Sequence, residues 1–285
     1  MKKLRISSKL NLHYCPKDNL EEYNYQGLLF HKKLGLDAAD YSLSQIDFME
    51  SGWEKYIEAM LRNSEKVGIK FEICHIPFLK MKCTPEEEAT HPTVVRRSID
   101  AAKMLGVDFA VIHPNGFTEP LDQFDRRKKF ESTMKYLGPA AEYAAQKGVN
   151  IVVENMRLVP KVYPVHRYCQ DPDELCEVAD ALGVGICWDF GHANICGLKQ
   201  SEALAYIGSR LKVLHVNDNM GIGDDHLAPF LGNTDWEDAM HGLALCNFNG
   251  LFNYEIAMDH LPKEVKEDYA RYLVHAAQKL ITMVK

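Results

Sequence analysis

Short apolar runs, most of them closing on a polar side chain, recur along the chain. Longer stretches separate them, and in these apolar residues return every three or four positions. LRISS (4–8), GLDAADYS (35–42), KFEICHI (70–76), DFAVIHP (108–114), NIVVENM (150–156), GVGICWDF (183–190), LKVLHVND (211–218) and LFNYEIA (251–257) read as eight strands. Residues 52–67, 86–105, 122–147, 173–182, 200–209, 235–245 and 263–283 carry the helical period, with Gly68, Gly106 and Gly148 stopping three of them just before the next strand. Strands that are apolar almost throughout belong to a parallel sheet covered on both faces. A β-α unit repeated eight times favours an α/β fold closed into a single (β/α)8 TIM barrel over an open doubly wound sheet. No linker rich in Gly, Pro or Ser divides the chain, so residues 1–285 are read as one domain.

Composition narrows the partners. A net charge of −7 argues against a protein built to grip a phosphate backbone, so nucleic acid is a disfavoured partner. The eight cysteines form no CxxC pair, and Cys74 and Cys187 sit inside apolar runs, which reads as reduced structural thiols. The N-terminal MKKLRISSKLNLHYC breaks into polar residues before an apolar core develops, and no run of about twenty apolar residues occurs elsewhere. A cytoplasmic protein with no membrane association is expected, and homo-oligomerisation is compatible with it. Rossmann and phosphate-loop glycine patterns and a serine nucleophile elbow are absent, so neither a nucleotide cofactor nor a hydrolase triad is supported.

The chemistry lies at the strand ends. His75, His113, Glu154, Asp189, His215 and Glu255 close six of the strands, His192 follows strand six, and Asp224 and His226 lie in the connection after strand seven. One such side chain alone is most simply a helix cap or a hydrogen-bonded core group. Gathered at the C-terminal mouth of a barrel, several carboxylates repel one another and call for a cation. Glu154, Asp189, His215 and Glu255, from neighbouring strands, form a mainly oxygen set suited to one divalent ion, Mn, Mg, Co or Zn. His192 is placed to hold either a second ion or a substrate hydroxyl, and His75, His113, Asp224 and His226 are additional candidates for metal or substrate. The four carboxylates and five neutral imidazoles leave the site near −2 with one divalent ion and near +2 with three. The first suits a neutral sugar or polyol, the second a phosphate.

Two connections are long, residues 155–172 with Arg157, Lys161, His166 and Arg167, and residues 217–233 with Asp218, Asp224, Asp225 and His226, and both read as binding loops or lids. His13 falls where the mouth would follow strand one, and Phe78, Phe117 and Trp188 are candidates for an apolar wall against a sugar face. His31, His91, His241, His260 and His275 read as surface or packing residues.

VVENM (152–156), CWDFGHA (187–193), LHVNDN (214–219) and DDHLAPFLGNTDW (224–236) together resemble the xylose-isomerase-like barrel superfamily, from CHIPF (74–78) to NYEIA (253–257). That superfamily takes in sugar phosphate isomerase/epimerase proteins, ketose 3-epimerases and apurinic endonucleases of the endonuclease IV type. The last segment is similar to the D-x-HL-x-P-x-x-G-x-x-DW pattern of the isomerase/epimerase branch. The resemblance implies that Glu154, Asp189, His215 and Glu255 hold the ion. It also implies that Glu154 and Glu255 serve as acid and base on opposite faces of a small sugar or sugar phosphate, and that His192 donates to the developing enediolate. A metal-dependent sugar isomerase or epimerase is therefore expected. Ketose 3-epimerases carry an acid and an arginine where Pro160 and Gly221 stand here, so a ketose 3-epimerase in the narrow sense is not implied. Arg157 or Arg167 offers a replacement cation suited to a phosphorylated or acidic sugar. The alternatives are a related sugar dehydratase or lyase, and a phosphodiesterase of the apurinic endonuclease kind with up to three Zn. The nine strand-end and loop residues fall where that endonuclease family's zinc ligands fall, although NMRLVP after Glu154 and the GNTDW ending depart from its turns.

Overall fold

The computed structural model describes residues 4–10, 19–79, 83–114, 123–158, 165–258 and 260–284. The apolar runs form strands β1 (Arg5–Lys9), β2 (Ala38–Ser42), β3 (Phe71–His75), β4 (Phe109–Ile112), β5 (Ile151–Glu154), β6 (Gly185–Asp189), β7 (Leu211–His215) and β8 (Leu251–Tyr254). They lie parallel in the order β7-β6-β5-β4-β3-β2-β1-β8. The two ends of that order meet: Val216 donates to Asn253 O at 2.8 Å and Glu255 donates to Val216 O at 3.2 Å. Those bonds form the seam of a nearly closed (β/α)8 barrel, the fold expected from the pattern.

The helices between the strands are α1 (Leu20–Leu34), α2 (Glu54–Val67), α3 (Pro85–Leu105), α4 (Arg126–Lys147), α5 (Pro172–Leu182), α6 (Phe190–Ile195), α7 (Gln200–Ile207), α8 (Trp236–Leu245) and α9 (Lys263–Ile281). Of these, α1 and the short α6 lie outside the segments with a clear helical period. The start of α3 is fixed by a capping box, in which Thr84 accepts from the Glu87 N–H and the Glu87 carboxylate accepts from the Thr84 N–H. The end of α4 is fixed by Gly148, whose φ of 67° is left-handed and directs the chain into β5.

Alternation along each strand sorts the side chains into two environments. Ala38, Ile73, Val111, Val152, Cys187, Val213 and Leu251 point inward and fill the lower barrel as one buried layer. Two residues further on come Asp40, His75, His113, Glu154, Asp189, His215 and Asn253, still inside but at the mouth or just below it. Residues of the opposite phase, Trp188, Leu214 and Phe252 among them, face outward into the larger core against the helices. A chain with this period places its apolar plug and its chemistry on the same strands, one step apart. Among the described residues no helix is long and apolar enough to cross a membrane.

Candidate metal and substrate site

Donor atoms of Glu154, Asp189, His215 and Glu255 all lie within 4.8 Å of one another at the mouth. His215 is fully buried, and its Nδ1 sits 2.7 Å from Glu255 Oε2 and 3.2 Å from Glu154 Oε1. Neither contact has hydrogen-bond geometry, so both ring nitrogens remain without a hydrogen-bond partner among the described residues. Buried polar atoms are seldom left this way. Lone pairs that converge without bonding one another fit a shared cation, and the three-carboxylate, one-imidazole set fits a divalent one.

Asp189 has two duties. Its Oδ1 accepts from the His192 N–H at 2.7 Å, capping α6, while Oδ2 accepts from Asn217 Nδ2 at 2.7 Å. Asn155 clamps the same stretch, accepting from the Asp189 N–H at 2.6 Å and donating to its carbonyl at 3.0 Å. The cap and the candidate ligand are thus one side chain, held in orientation by two buried amides.

Two further groups adjoin the quartet. His75 Nε2, His113 Nε2 and Glu154 Oε2 lie 3.1–3.2 Å apart. His75 Nδ1 lies 2.9 Å from the Ile76 carbonyl, so in the neutral ring Nδ1 donates and Nε2 is left as the lone pair. Burial pushes His113 down to about 4, which keeps that ring neutral. On the other side, Asp224 Oδ2 is 3.5 Å from His192 Nε2 and Oδ1 is 3.4 Å from His226 Nε2. Burial alone would lower the His192 pKa, but the carboxylates of Asp189, Asp224 and Glu154 outweigh it and push it up to about 10. Arg157 donates to Asp224 Oδ2 at 3.1 Å. All nine sequence-selected acids and histidines, with Arg157, therefore come together around one mouth.

The loop that carries Asp224 and His226 is built on Asp218. Its Oδ1 accepts from the N–H groups of Asn219 and Thr234, and its Oδ2 from those of Phe230 and Gly232 and from Trp236 Nε1, at 2.9–3.1 Å. Gly232 is required there, because a Cβ would fall 2.3 Å from both Asn219 O and Asp218 Oδ1. This accounts for the Gly and Trp of the 224–236 motif, which brace a turn that holds His226 at a φ of 48° with its Nδ1 2.7 Å from Glu255 O.

Asp218, read in sequence as part of the long connection after β7, is the acid on which that connection is built. Lys9 was missed: it ends β1, lines the mouth and places its ammonium against Glu255 Oε1. Ser42 and Ser44 line the same cavity of about 140 Å³. Phe78 fits the expected apolar wall, stacking on the His113 ring at 4.7 Å while 49% exposed. Trp188 does not; it is fully buried on the helix-facing phase of β6, donating to Gln200 Oε1 at 3.1 Å. His13, Phe117 and Lys161 lie outside the described residues. His166 is bound to Glu174 at 2.9 Å. His31 and His91 are buried packing groups, and His241, His260 and His275 are exposed. The cysteines of the described residues are all free.

A parallel barrel with acids and imidazoles at successive strand ends defines a TIM-barrel protein with a candidate cation site at its mouth. Residues 28–274 match the family model of the xylose isomerase-like TIM barrel, and the chain belongs to that family. The uncharacterised protein y4fM of Sinorhizobium fredii is 27% identical over 186 residues, a match that takes in 62% of this chain and 56% of that protein. The chain thus spans little more than half the length of that relative. In structure the chain is similar to a D-allulose 3-epimerase from Methylomonas sp. in complex with D-allulose, with a TM-score of 0.75 and 14% identity over 98% of each chain. It is also similar to the 3-keto-D-glucoside 4-epimerase of E. coli, with a TM-score of 0.73 and 16% identity over 96% of this chain and all of the other. At such identities these likenesses establish the shared fold.

Proposed function

We propose that the chain is a divalent-metal-dependent sugar isomerase or epimerase that moves a proton on the carbon next to a carbonyl. The observation that carries the reading is how the two glutamates share out their oxygens. Glu154 turns Oε1 toward His215 and Oε2 toward His75 and His113, whereas Glu255 turns Oε2 toward His215 and Oε1 toward Lys9. Each carboxylate thus has one oxygen in the quartet and one outside it, as a group that both holds an ion and handles a proton requires. The fold likeness to two sugar epimerases supports the same substrate class.

Glu154, Asp189, His215 and Glu255 would hold the ion, Mn, Mg, Co or Zn, which supplies polarisation of the substrate carbonyl and of the hydroxyl beside it. One glutamate removes the proton from the carbon between them, and the electron pair passes to the carbonyl oxygen to give the enediolate. The other glutamate returns a proton, on the opposite face of the same carbon for epimerisation or, with the hydroxyl proton passing to the former carbonyl oxygen, at the neighbouring carbon for isomerisation. His192 donates a hydrogen bond from Nε2 to a substrate oxygen, since its Nδ1 is engaged with the Asn155 carbonyl at 2.8 Å. Glu154→Gln and Glu255→Gln should each lower kcat by at least about a hundredfold with the fold intact. Solvent deuterium should enter the substrate during turnover. Full activity in either variant would remove the mechanism.

A second reading is favoured by one observation, the gathering of nine donors into three adjoining groups, two of which share Glu154 while the third is centred on Asp224. Three zinc ions per chain and cleavage of an abasic DNA duplex would make the protein a phosphodiesterase of the endonuclease IV kind. One ion per chain and no cleavage would support the sugar reading.

A further inference from the structure

Charges do not balance where the loop after β5 meets the mouth. Arg157 engages Asp224 Oδ2, but that carboxylate already faces His192 and His226. Arg167, further along the same loop, has no carboxylate within ion-pair distance among the described residues. Among the described residues its guanidinium has one hydrogen-bond partner, the Met156 sulfur, with Nη2 4.0 Å from Sδ. Its backbone is held in place, the N–H donating to Gln170 Oε1 at 3.1 Å and the carbonyl accepting from Gln170 N at 3.0 Å.

The side chain is sheltered as well as unpaired. Burial first, and the nearness of Arg157 second, draw its pKa down to about 10, while Asp224 and Glu154 act in the opposite direction. It remains a cation at neutral pH. The Cys196 thiol, bound to the same loop through the Leu158 N–H and the Met156 carbonyl, is pushed up to about 11 by burial and brings no compensating charge. Folded proteins pair or hydrogen-bond the charges they take out of water, and a planar fork of five N–H donors beside a second guanidinium matches the oxygens of a phosphate or carboxylate.

We propose that Arg167, assisted by Arg157, is the anion subsite of this mouth, so that the substrate is a sugar derivative bearing a phosphate or carboxylate rather than a neutral sugar. The sugar part of this statement rests on the isomerase/epimerase reading above; the anion part does not. Arg157 follows Glu154 by three positions and donates to Asp224, which lines the mouth, so an anion held beside Arg157 lies at the edge of the cavity that contains the proposed base. Binding energy from a group remote from the reacting carbons then serves to place those carbons.

Calorimetric titration of the Mn-loaded protein tests the proposal, with inorganic phosphate in one arm and acetate in the other. Binding of at least one anion is expected, weakened by about tenfold or more in Arg167→Met with the metal content unchanged. Binding of phosphate alone points to a phosphorylated sugar, and binding of acetate as strongly as phosphate points to a sugar acid. Because Arg167→Met removes a sheltered, unpaired charge, it should melt at or above the wild-type temperature without anion and lose the rise in Tm that the anion gives the wild type. Equal affinity in Arg167→Met would put the anion on the metal and overturn the proposal, as would failure of the wild type to bind either anion. The two ideas separate cleanly. Anion binding through Arg167 without proton exchange on any sugar would remove the isomerase reading and keep the subsite, whereas epimerisation of neutral ketoses, unchanged in Arg167→Met and without anion binding, would do the reverse.

Discussion

At the scale of single residues, the side chains that matter most are those given two tasks or placed where only one residue type fits. Asp218 accepts five hydrogen bonds while fully buried, four of them from backbone N–H groups and one from an indole. Asp218→Ala should cost about 3 kcal/mol or more in denaturant unfolding, because several buried N–H groups lose their partner together. The same variant should lose turnover through displacement of Asp224 and His226. His31 offers a pH test away from the mouth. Burial holds its pKa below the ordinary imidazole value, and its ring nitrogens lie 2.9 and 3.0 Å from the Gly27 and Ser8 carbonyls. A neutral ring in the fold means that the unfolded chain binds the extra proton, so this contribution to stability is present above about pH 6.5 and shrinks as the pH falls through it. The stability gap between wild type and His31→Gln should narrow from pH 7.5 to pH 5; a gap that stays constant would show that His31 charges as readily in the fold as out of it. The strand-end acids and histidines were legible in sequence because each closes an apolar run. Lys9 was not, since its run LRISS seemed to end one residue earlier, and a lysine beside other polar residues reads as solvated surface.

At the scale of elements, the strands were far more legible than the helices around them. An inward apolar residue followed two positions later by a chemical one, as in Ile73 and His75 or Val152 and Glu154, is the written form of a plugged barrel with a reactive rim. Helix α1 escaped because it is not marked by apolar periodicity. It buries Asn24 and His31 beside Leu28, with Asn24 Nδ2 donating to the Tyr41 hydroxyl at 3.3 Å and the His31 ring set between two carbonyls, and tertiary contacts of this kind leave no trace in a hydropathy pattern. The helix ends, by contrast, are local and readable. Gly148 sits at a φ of 67° with open space around its Cβ position apart from the Lys103 ammonium at 3.8 Å, so the cost of a side chain there is conformational rather than steric. Gly148→Ala should lower stability by about 1 kcal/mol in chemical denaturation and leave kcat unchanged, and a larger loss would point to packing that the backbone angle does not explain.

For the whole molecule, the mouth concentrates acidic charge that the lower barrel could not tolerate, and an ion held there, as proposed, would bind the folded chain in preference to the unfolded one. Chelation should lower Tm, and returning Mn at about a hundredfold its Kd should restore about 2.7 kcal/mol. A Tm indifferent to chelator would speak against any resident ion in the quartet. The seam between β7 and β8 gives this linkage a mechanical side. Elsewhere around the barrel neighbouring strands share a ladder, but here the circle is joined by the Val216 and Glu255 amides, and the quartet members His215 and Glu255 stand on its two banks. An ion gripped from both banks would be a rivet through the hoop at that joint. Those two amides should exchange with deuterium more slowly in the metal-loaded protein than in the chelated one. The barrel's breathing and its readiness to react would then be set by one and the same fastening.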